Sequence, residues 1–365
     1  MREMKVIDLI IGKQNFFSFF CFFQILLVIT FIMTGNGLFL KISSLFLPFN
    51  ILFLFLFLMK KIHYKESLLF FIFLFMLLIF GILSPVSMSI WMPSLIIGIN
   101  TFLIALIFNN NLACRFIYFL LFFANCFVFF KWYQSGFLSW FGDDLMPDRS
   151  RNIVSAYLIV FQIYYFVLCD INSKKINVFL SFFTFLNCIL LFGRTGIVLG
   201  FMLFLFAVYK RYGKVFFIGL LTLGSMFLGL IYTYIITQTN FERGLDSPRS
   251  AFFREYFMGI NQYELFFGRN ISQCCSLITS YNGNTHNSFI LGHSQFGIMH
   301  TITFTIIFVV VILSRKIELV FLLFILYFRY YFDTIGMFSV FDMPIFLIFI
   351  QAYKGLFLNQ STKRF

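Results

Sequence analysis

Three of the four histidines follow one another at intervals of seven residues, as His286, His293 and His300. On a helix, this spacing places all three along one stripe. One interpretation is a stripe that binds a metal or relays protons, although metal ligands usually lie closer together or come from several elements. The fourth histidine, His63, lies in the basic segment KKIHYKE, where we expect it to be solvated.

His286 is the histidine best placed for chemistry. It ends a long polar stretch, and an apolar helical pattern begins directly after it at Asn287-Ser288. An imidazole there can face both a water-soluble and a lipid-linked reactant. The helix N-terminus adds a positive potential that favours an anionic ligand. The alternative is that Thr285 or Asn287 caps the helix and that His286 has no part in the chemistry.

Arginine predominates over lysine on one side of the predicted membrane topology. The cytoplasmic ends of the predicted spans hold twelve lysines and five arginines, whereas the remaining ten basic residues are two lysines and eight arginines. Topology responds to positive charge of either kind, but only arginine offers a planar fork for bidentate contacts to pyrophosphate. We therefore favour an outer pyrophosphate-binding surface over a chance imbalance. The candidate residues are Arg151, Arg194, Arg243, Arg249, Arg254 and Arg269.

The segment DDLMPD contains Asp143, Asp144 and Asp148. Such aspartates could hold a pyrophosphate through a bridging cation, but their spacing is imperfect and the sequence contains only one such cluster. A solvated acidic loop is the preferred interpretation. We therefore predict neither a metal ligand set nor a cofactor.

The elements that must position these residues are apolar helices. The chain is 61% hydrophobic, with 62 phenylalanines in 365 residues and a mean hydropathy of +0.94. Repeated apolar stretches of membrane-spanning length predict an all-α polytopic membrane protein of about twelve transmembrane helices, and they exclude a barrel. We treat residues 1–365 as a single membrane domain and the first stretch as a retained span. The predicted spans are residues 16–33, 38–59, 67–83, 92–108, 114–133, 152–169, 176–192, 195–209, 214–236, 287–313, 317–332 and 336–352.

Charge sets the predicted topology. The formal net charge of +13 reflects basic residues at cytoplasmic span ends and does not indicate nucleic-acid binding, so both termini are predicted to be cytoplasmic. Two loops then face outward: Gln134–Arg151 and the larger Thr237–Thr285. Within the larger loop, Pro248–Leu265 repeats aromatic residues at helical spacing, which predicts an amphipathic helix on the membrane surface or over a cavity. The adjacent Cys274 and Cys275 are expected to remain unbridged.

Four motifs in this order resemble the superfamily of O-antigen polymerases and O-antigen ligases. They are FGRTGIVLG on a short outer turn, SPRSAFFREY at the start of the large loop, ELFFGRN, and HNSFILGHSQFG, which closes the loop. The resemblance covers about residues 152–315. It implies that His286 is catalytic and that Arg249 and Arg194 contact a lipid pyrophosphate, with Asn287 beside the substrate. Where the family often has serine before the turn arginine, this chain has Gly193.

The resemblance implies a metal-independent glycosyltransferase in the bacterial inner membrane, with its active site in the periplasm. The donor would be an oligosaccharide on undecaprenyl pyrophosphate, and His286 would act on the acceptor hydroxyl. Compact size and phenylalanine content favour a polymerase of lipid-linked repeat units over a ligase that transfers glycan to lipid A-core. A flippase is the alternative from another class. Membrane lipid and a chain-length regulator protein are the further expected partners.

Overall fold

The computed structural model describes residues 2–53, 64–137, 145, 151–226, 233, 249–336 and 338–357. These residues form α-helices with one short 3-10 helix at Val340–Asp342 and no strand. The helices are α1 (Arg2–Thr34), α2 (Gly37–Leu45), α3 (Leu47–Phe53), α4 (Tyr64–Leu83), α5 (Met88–Ile107), α6 (Asn111–Gln134), α7 (Arg151–Ile171), α8 (Val178–Leu190), α9 (Arg194–Met226), α10 (Arg249–Phe257), α11 (Gln262–Phe267), α12 (Ile271–Cys274), α13 (Ser276–Ser280), α14 (Ser288–Leu313), α15 (Ile317–Phe332) and α16 (Met343–Phe357).

Several of these helices suit a membrane. Within the described residues, five are long and apolar enough to cross one: Met88–Ile107, Asn111–Gln134, Arg151–Ile171, Arg194–Gly219 and Ser288–Leu313. Shorter apolar helices accompany them at Phe17–Phe31, Gly37–Leu52, Phe71–Leu83 and Val178–Leu190. The predicted class, an all-α membrane protein with several spans, is therefore confirmed. The number of twelve spans and their orientation stay predictions.

Local breaks divide some of the predicted continuous helices. The predicted span 38–59 begins as two short helices, α2 and α3, which meet at Phe46. By contrast, a break was expected between the spans predicted at 195–209 and 214–236, and the described part of α9 leaves the helical conformation there, at Gly213, where φ is 82°. In the large loop, the predicted helix Pro248–Leu265 is divided into α10 and α11, and Gly259 adopts a φ of 67° between them. Left-handed backbone of this kind is accessible to glycine at little cost.

The described residues fall into two compact units. The first combines Met1–Phe31, Asn36–Asn109 and Pro248–Phe365, and the second combines Ile32–Gly35 with Asn110–Ser247. In the first unit, α14 packs against α4, α11, α15 and α16. Because His286 immediately precedes α14, this central helix determines where the candidate base lies.

Helix α14 bends at Gly297, where φ is 56° and ψ is −151°. The His300 ring lies directly against Gly292 across this bend. In a straight helix, residues eight positions apart are separated by about 12 Å along the axis, so this contact requires the bend. Helix α11 fits against the same place, because the carbonyl of Phe266 occupies the position that a side chain on Gly297 would need.

Gly297→Ala is expected to destabilise the protein strongly. The new methyl group would collide with backbone that cannot move independently, and alanine disfavours a positive φ. Overpacking and the left-handed penalty together cost about 2–5 kcal/mol. Thermal unfolding in detergent measures the loss, with Gly219→Ala as the matched control because an added Cβ there meets nothing within 4 Å. Equal stability of the two variants would show that the bend does not depend on glycine.

In the second unit, the glycines of FGRTGIVLG allow close helix packing. A Cβ on Gly196 would lie 2.7 Å from the Ser155 hydroxyl oxygen of α7, and one on Gly200 would lie 3.2 Å from Cys188 Sγ of α8. Two small residues four positions apart are typical of close helix contacts in membranes. Much of this motif therefore has a packing role, independent of any ligand.

Candidate active site

Asp333, a buried carboxylate that was not among the predicted site residues, lies between two arginines. Asp333 Oδ2 lies 2.9 Å from Arg329 Nη2, and Asp333 Oδ1 lies 3.5 Å from Arg249 Nη2. The side chains of Arg329 and Asp333 are only 1% and 3% exposed, whereas that of Arg249 is 26% exposed. Of this ionic cluster, Arg249 is therefore the member that a ligand can reach from solvent.

Asp333 is held by the first residue of α14. It follows the last residue of α15, where the backbone becomes extended. Ser288 Oγ donates to the Asp333 carbonyl at 2.7 Å and accepts the backbone N–H groups of Ile335 and Gly336, both at 3.1 Å. One buried hydroxyl thus fixes the start of α14 to the turn after α15, which keeps Asp333 next to the residues preceding α14.

His286 itself has an unusual backbone conformation, with a φ of 48°. Its N–H donates to Asn284 Oδ1 at 3.0 Å, and the same oxygen accepts the Thr334 hydroxyl at 3.0 Å. The His286 ring stacks on the buried Phe252 ring of α10, with centroids 5.8 Å apart and an angle of 13° between planes. Non-glycine residues with positive φ are uncommon and often occur at functional sites. The hydrogen bond to Asn284 fixes the His286 backbone, and the stacking on Phe252 orients its ring.

The surroundings of His286 favour its neutral form. Its pKa is lowered from the ordinary value of 6.5, first because burial disfavours the charged ring and then because Arg249 carries a nearby positive charge; Asp333 opposes this effect. A neutral imidazole has a free ring nitrogen that can accept a proton. His286 is therefore in the correct protonation state at neutral pH to act as a general base.

Asn287 is the N-cap of α14, as the alternative interpretation predicted. Its side-chain oxygen accepts the N–H groups of Phe289 at 2.8 Å and Ile290 at 3.1 Å. Thr285 also has a structural contact, because its hydroxyl donates to the Asn287 carbonyl at 2.7 Å. The cap uses the Asn287 side chain and not the His286 ring. Helix capping at this segment is therefore compatible with a chemical role for His286.

The other candidate arginines have different surroundings. Arg254 is exposed in the last turn of α10. Arg269 lies 3.3 Å from Glu264 and donates to the carbonyls of Tyr256 at 2.6 Å and Met258 at 3.0 Å, so its guanidinium stabilises the C-terminus of α10. Arg243 and the three aspartates of DDLMPD lie outside the described residues.

Arg151 and Arg194 belong to the second unit, where they begin α7 and α9. The residues beside them, Asn152 and Gly193, are in contact: a Cβ on Gly193 would lie 2.6 Å from Asn152 Oδ1. The two arginines therefore lie at the same end of their unit. The contact also explains glycine at position 193, because a serine there would displace the Asn152 side chain.

His293 and His300 lie inside the packed part of the structure. His293 Nε2 donates to the Leu265 carbonyl at 3.0 Å, so in the neutral ring Nδ1 accepts the Tyr256 hydroxyl at 2.8 Å. His293 thus links α14 to α10 and α11. His300 is fully buried between Phe304 and Phe338, and its ring nitrogens have no hydrogen-bond partner among the residues that the structure describes. The three histidines of the stripe therefore have distinct environments.

The expectation that Cys274 and Cys275 remain unbridged is wrong, because the two form a disulfide. They lie at the junction of α12 and α13, where the backbone of Cys275 leaves the helical conformation. Cys275 is buried in a cluster with Phe252, Tyr256, Ile278 and Ile290. The bridge is consequently part of the packing behind Phe252, the ring on which His286 stacks.

No protein-family model, no curated protein and no solved structure matches this chain. The resemblance to the O-antigen polymerase and ligase superfamily therefore rests on the quoted motifs alone.

Proposed function

We propose that this chain is an O-antigen polymerase of the bacterial inner membrane, with about twelve spans, cytoplasmic termini and a periplasmic site. The observation that carries the proposal is a half-buried imidazole of lowered pKa beside the partly exposed arginine of an Arg249–Asp333–Arg329 cluster. A general base and a positively charged group that can bind an anion lie together at the start of an apolar helix. This combination suits transfer of a sugar from a lipid pyrophosphate. The substrates are undecaprenyl-pyrophosphate-linked oligosaccharides, and a chain-length regulator protein is a further partner.

The proposed reaction requires a proton acceptor and a site for the departing charge. His286 removes the proton of the acceptor hydroxyl as its oxygen bonds to the anomeric carbon of the donor sugar. The bond from that carbon to the pyrophosphate oxygen breaks, and the electron pair leaves with the polyprenyl pyrophosphate. The Arg249 guanidinium neutralises the charge that develops on the leaving group. The imidazolium that forms on His286 is stabilised by Asp333, whose charge raises the His286 pKa.

Arg329 and Asp333 have a supporting role in this proposal. Arg329 is almost fully buried, so it orients the Asp333 carboxylate without reaching a ligand itself. The carboxylate in turn holds the more exposed Arg249 from one side. Because a guanidinium presents donors on several edges, Arg249 can contact both Asp333 and a phosphate oxygen.

We expect turnover by the purified protein to persist after chelation with EDTA, because arginine supplies the charge that a bridging cation would otherwise provide. The measurement is glycan polymerisation in vesicles with lipid-linked repeat units, before and after chelation, and with added Mg²⁺. Loss of turnover with EDTA and recovery with Mg²⁺ would assign a role to Asp143, Asp144 and Asp148 instead.

Asn284 is expected to position His286, because one Asn284 oxygen accepts both the His286 N–H and the Thr334 hydroxyl. Asn284→Ala removes both bonds and should lower kcat by about 10–100-fold, since small displacements of a catalytic group have effects of this size. Asn284→Asp keeps an acceptor oxygen and should recover most of kcat at high pH. Its negative charge should also raise the pKa of His286 and move the acidic limb of the pH profile upward. Equal rates for all three proteins would exclude this positioning role.

Ligation to lipid A-core uses the same donor chemistry and differs in the acceptor. The proposal is tested by expressing the chain in strains that lack either activity and examining lipopolysaccharide on a gel. A polymerase restores the long ladder in cells that otherwise attach a single repeat unit, whereas a ligase restores attachment itself. Restored carrier translocation in a flippase-deficient strain, without restoration of either other activity, would instead identify a transporter.

A further inference from the structure

The segment 258–268 of the large loop has an apolar surface that is unusual for a loop facing water. The side chains of Met258, Tyr263 and Phe266 are 75%, 53% and 51% exposed, and Leu265 is exposed as well. Large, contiguous apolar surfaces of this kind mark contacts with a partner or a membrane. By contrast, the later part of the same loop exposes Ser272, Ser280 and other small polar residues between its few apolar ones.

This segment is attached to the end of an apolar helix of membrane type. The Tyr263 hydroxyl donates to the carbonyl of Leu83, the last residue of α4. Phe267 contacts Phe80 of the same helix, with ring centroids 5.3 Å apart. Ile82 and Leu83 are exposed beside this attachment. The apolar surface of 258–268 therefore continues the outward surface of α4 at the level where that helix ends.

The start of α11 is capped, and the one charged residue of the segment is paired. Asn261 and Glu264 form a capping box at the start of α11, and Glu264 is paired with Arg269 at 3.3 Å. Gly268 and Gly297 have no side chain, which allows the backbones of α11 and α14 to approach closely. The side of α11 away from α14 is exposed. A segment with a single, paired charge, a capped helix start and exposed aromatic residues matches the chemistry of the membrane interface, where tyrosine keeps its hydroxyl near polar groups.

We infer that residues 258–268 are immersed in the interfacial region of the bilayer, with Met258, Tyr263, Leu265 and Phe266 in contact with lipid. The occupant of this surface is bilayer lipid, because the surface is continuous with that of α4 and the one charged residue of the segment, Glu264, is paired with the adjacent Arg269. The contact would fix α11, and through it the Tyr256–His293 hydrogen bond and the bend of α14, at a defined depth. This inference does not depend on the proposed reaction.

Site-directed spin labelling of the full chain in phosphatidylcholine–phosphatidylglycerol vesicles tests the inference. Labels at Met258→Cys and Phe266→Cys should collide more with oxygen than with a water-soluble nickel chelate, whereas labels at Ser272→Cys and Ser280→Cys should show the opposite order. The unsubstituted chain gives the background from its native thiols, and labelling without reductant preserves the Cys274–Cys275 bridge. If Met258→Cys or Phe266→Cys fails to fold, Leu265→Cys replaces it in the same measurement.

Two results would overturn the inference. Nickel accessibility at 258 and 266 equal to that at 272 would place the segment in water. Dipolar broadening between labels on different molecules, with low accessibility to both reagents, would show that a second copy of the chain covers this surface in place of lipid.

Discussion

Replacing His286 with alanine is expected to lower the rate of glycan polymerisation by about 10²–10⁴-fold, which is the usual contribution of a general base. The amount of protein in the membrane should stay normal, because the ring is only half-buried and contacts mainly Phe252. The measurements are the length of the lipopolysaccharide ladder in cells and kcat in vesicles.

His286→Asn is the matched control for the backbone. The native φ of 48° is a conformation that asparagine tolerates better than most residues, so this variant keeps the local fold but lacks the base. Both variants should therefore be equally impaired. Full activity of either variant at normal expression would exclude His286 as the base, whereas impairment of alanine alone would indicate that the residue shapes the loop.

The pH profile gives a second measure of the same assignment. Burial and the positive charge of Arg249 lower the pKa of His286, so the acidic limb of kcat/KM should lie below pH 6.5. Arg249→Gln removes the positive charge while Asp333 remains, which raises the His286 pKa and should move the limb to higher pH. An unchanged limb would show that the titrating base is another group.

Arg249→Ala is expected to reduce kcat by about 10²–10³-fold, the size of effect seen when one donor to a developing anion is removed. Arg249→Lys should remain impaired, because an ammonium keeps the charge but cannot contact Asp333 and a phosphate oxygen with the geometry of a planar fork. The measurement is kcat and KM for the lipid-linked donor in vesicles.

Arg254→Ala and Arg254→Lys provide the comparison on the same helix. Arg254 is more exposed than Arg249 and lies in the last turn of α10, so its loss should reduce the rate much less. Equal losses at both positions would favour a diffuse electrostatic surface over a specific site at Arg249. A fully active Arg249→Lys protein would show that charge alone is sufficient.

The sequence by itself determined the features that depend on local patterns. Long apolar stretches predicted an all-α membrane protein, and several boundaries agree closely, such as the span predicted at 317–332 and helix α15. The helix start after His286 also followed from residue types within a few positions, and the Asn287 cap was one of the alternatives that these residue types offered. These features are local because hydropathy and capping act over one helix or one turn.

The positions of the breaks within helices were harder to predict from the sequence. Gly259 separates α10 from α11, and Gly297 bends α14 in the middle of a stretch predicted as one continuous span. A glycine permits a positive φ without requiring it. At Gly297, the Phe266 carbonyl occupies the space of a side chain, a tertiary contact that no local pattern reveals.

Only the tertiary structure decided how the charged residues combine. Arg249 and Asp333 are 84 positions apart in the chain, and Arg269, which resembled Arg249 in the sequence, stabilises the end of α10 instead. The sequence did contain one signal for the missed residues, since Arg329 and Asp333 stand four positions apart at the end of an apolar helix, where unpaired charge is costly. Which arginine pairs with Asp333, and which remains reachable, depends on packing between distant segments and therefore on the fold as a whole.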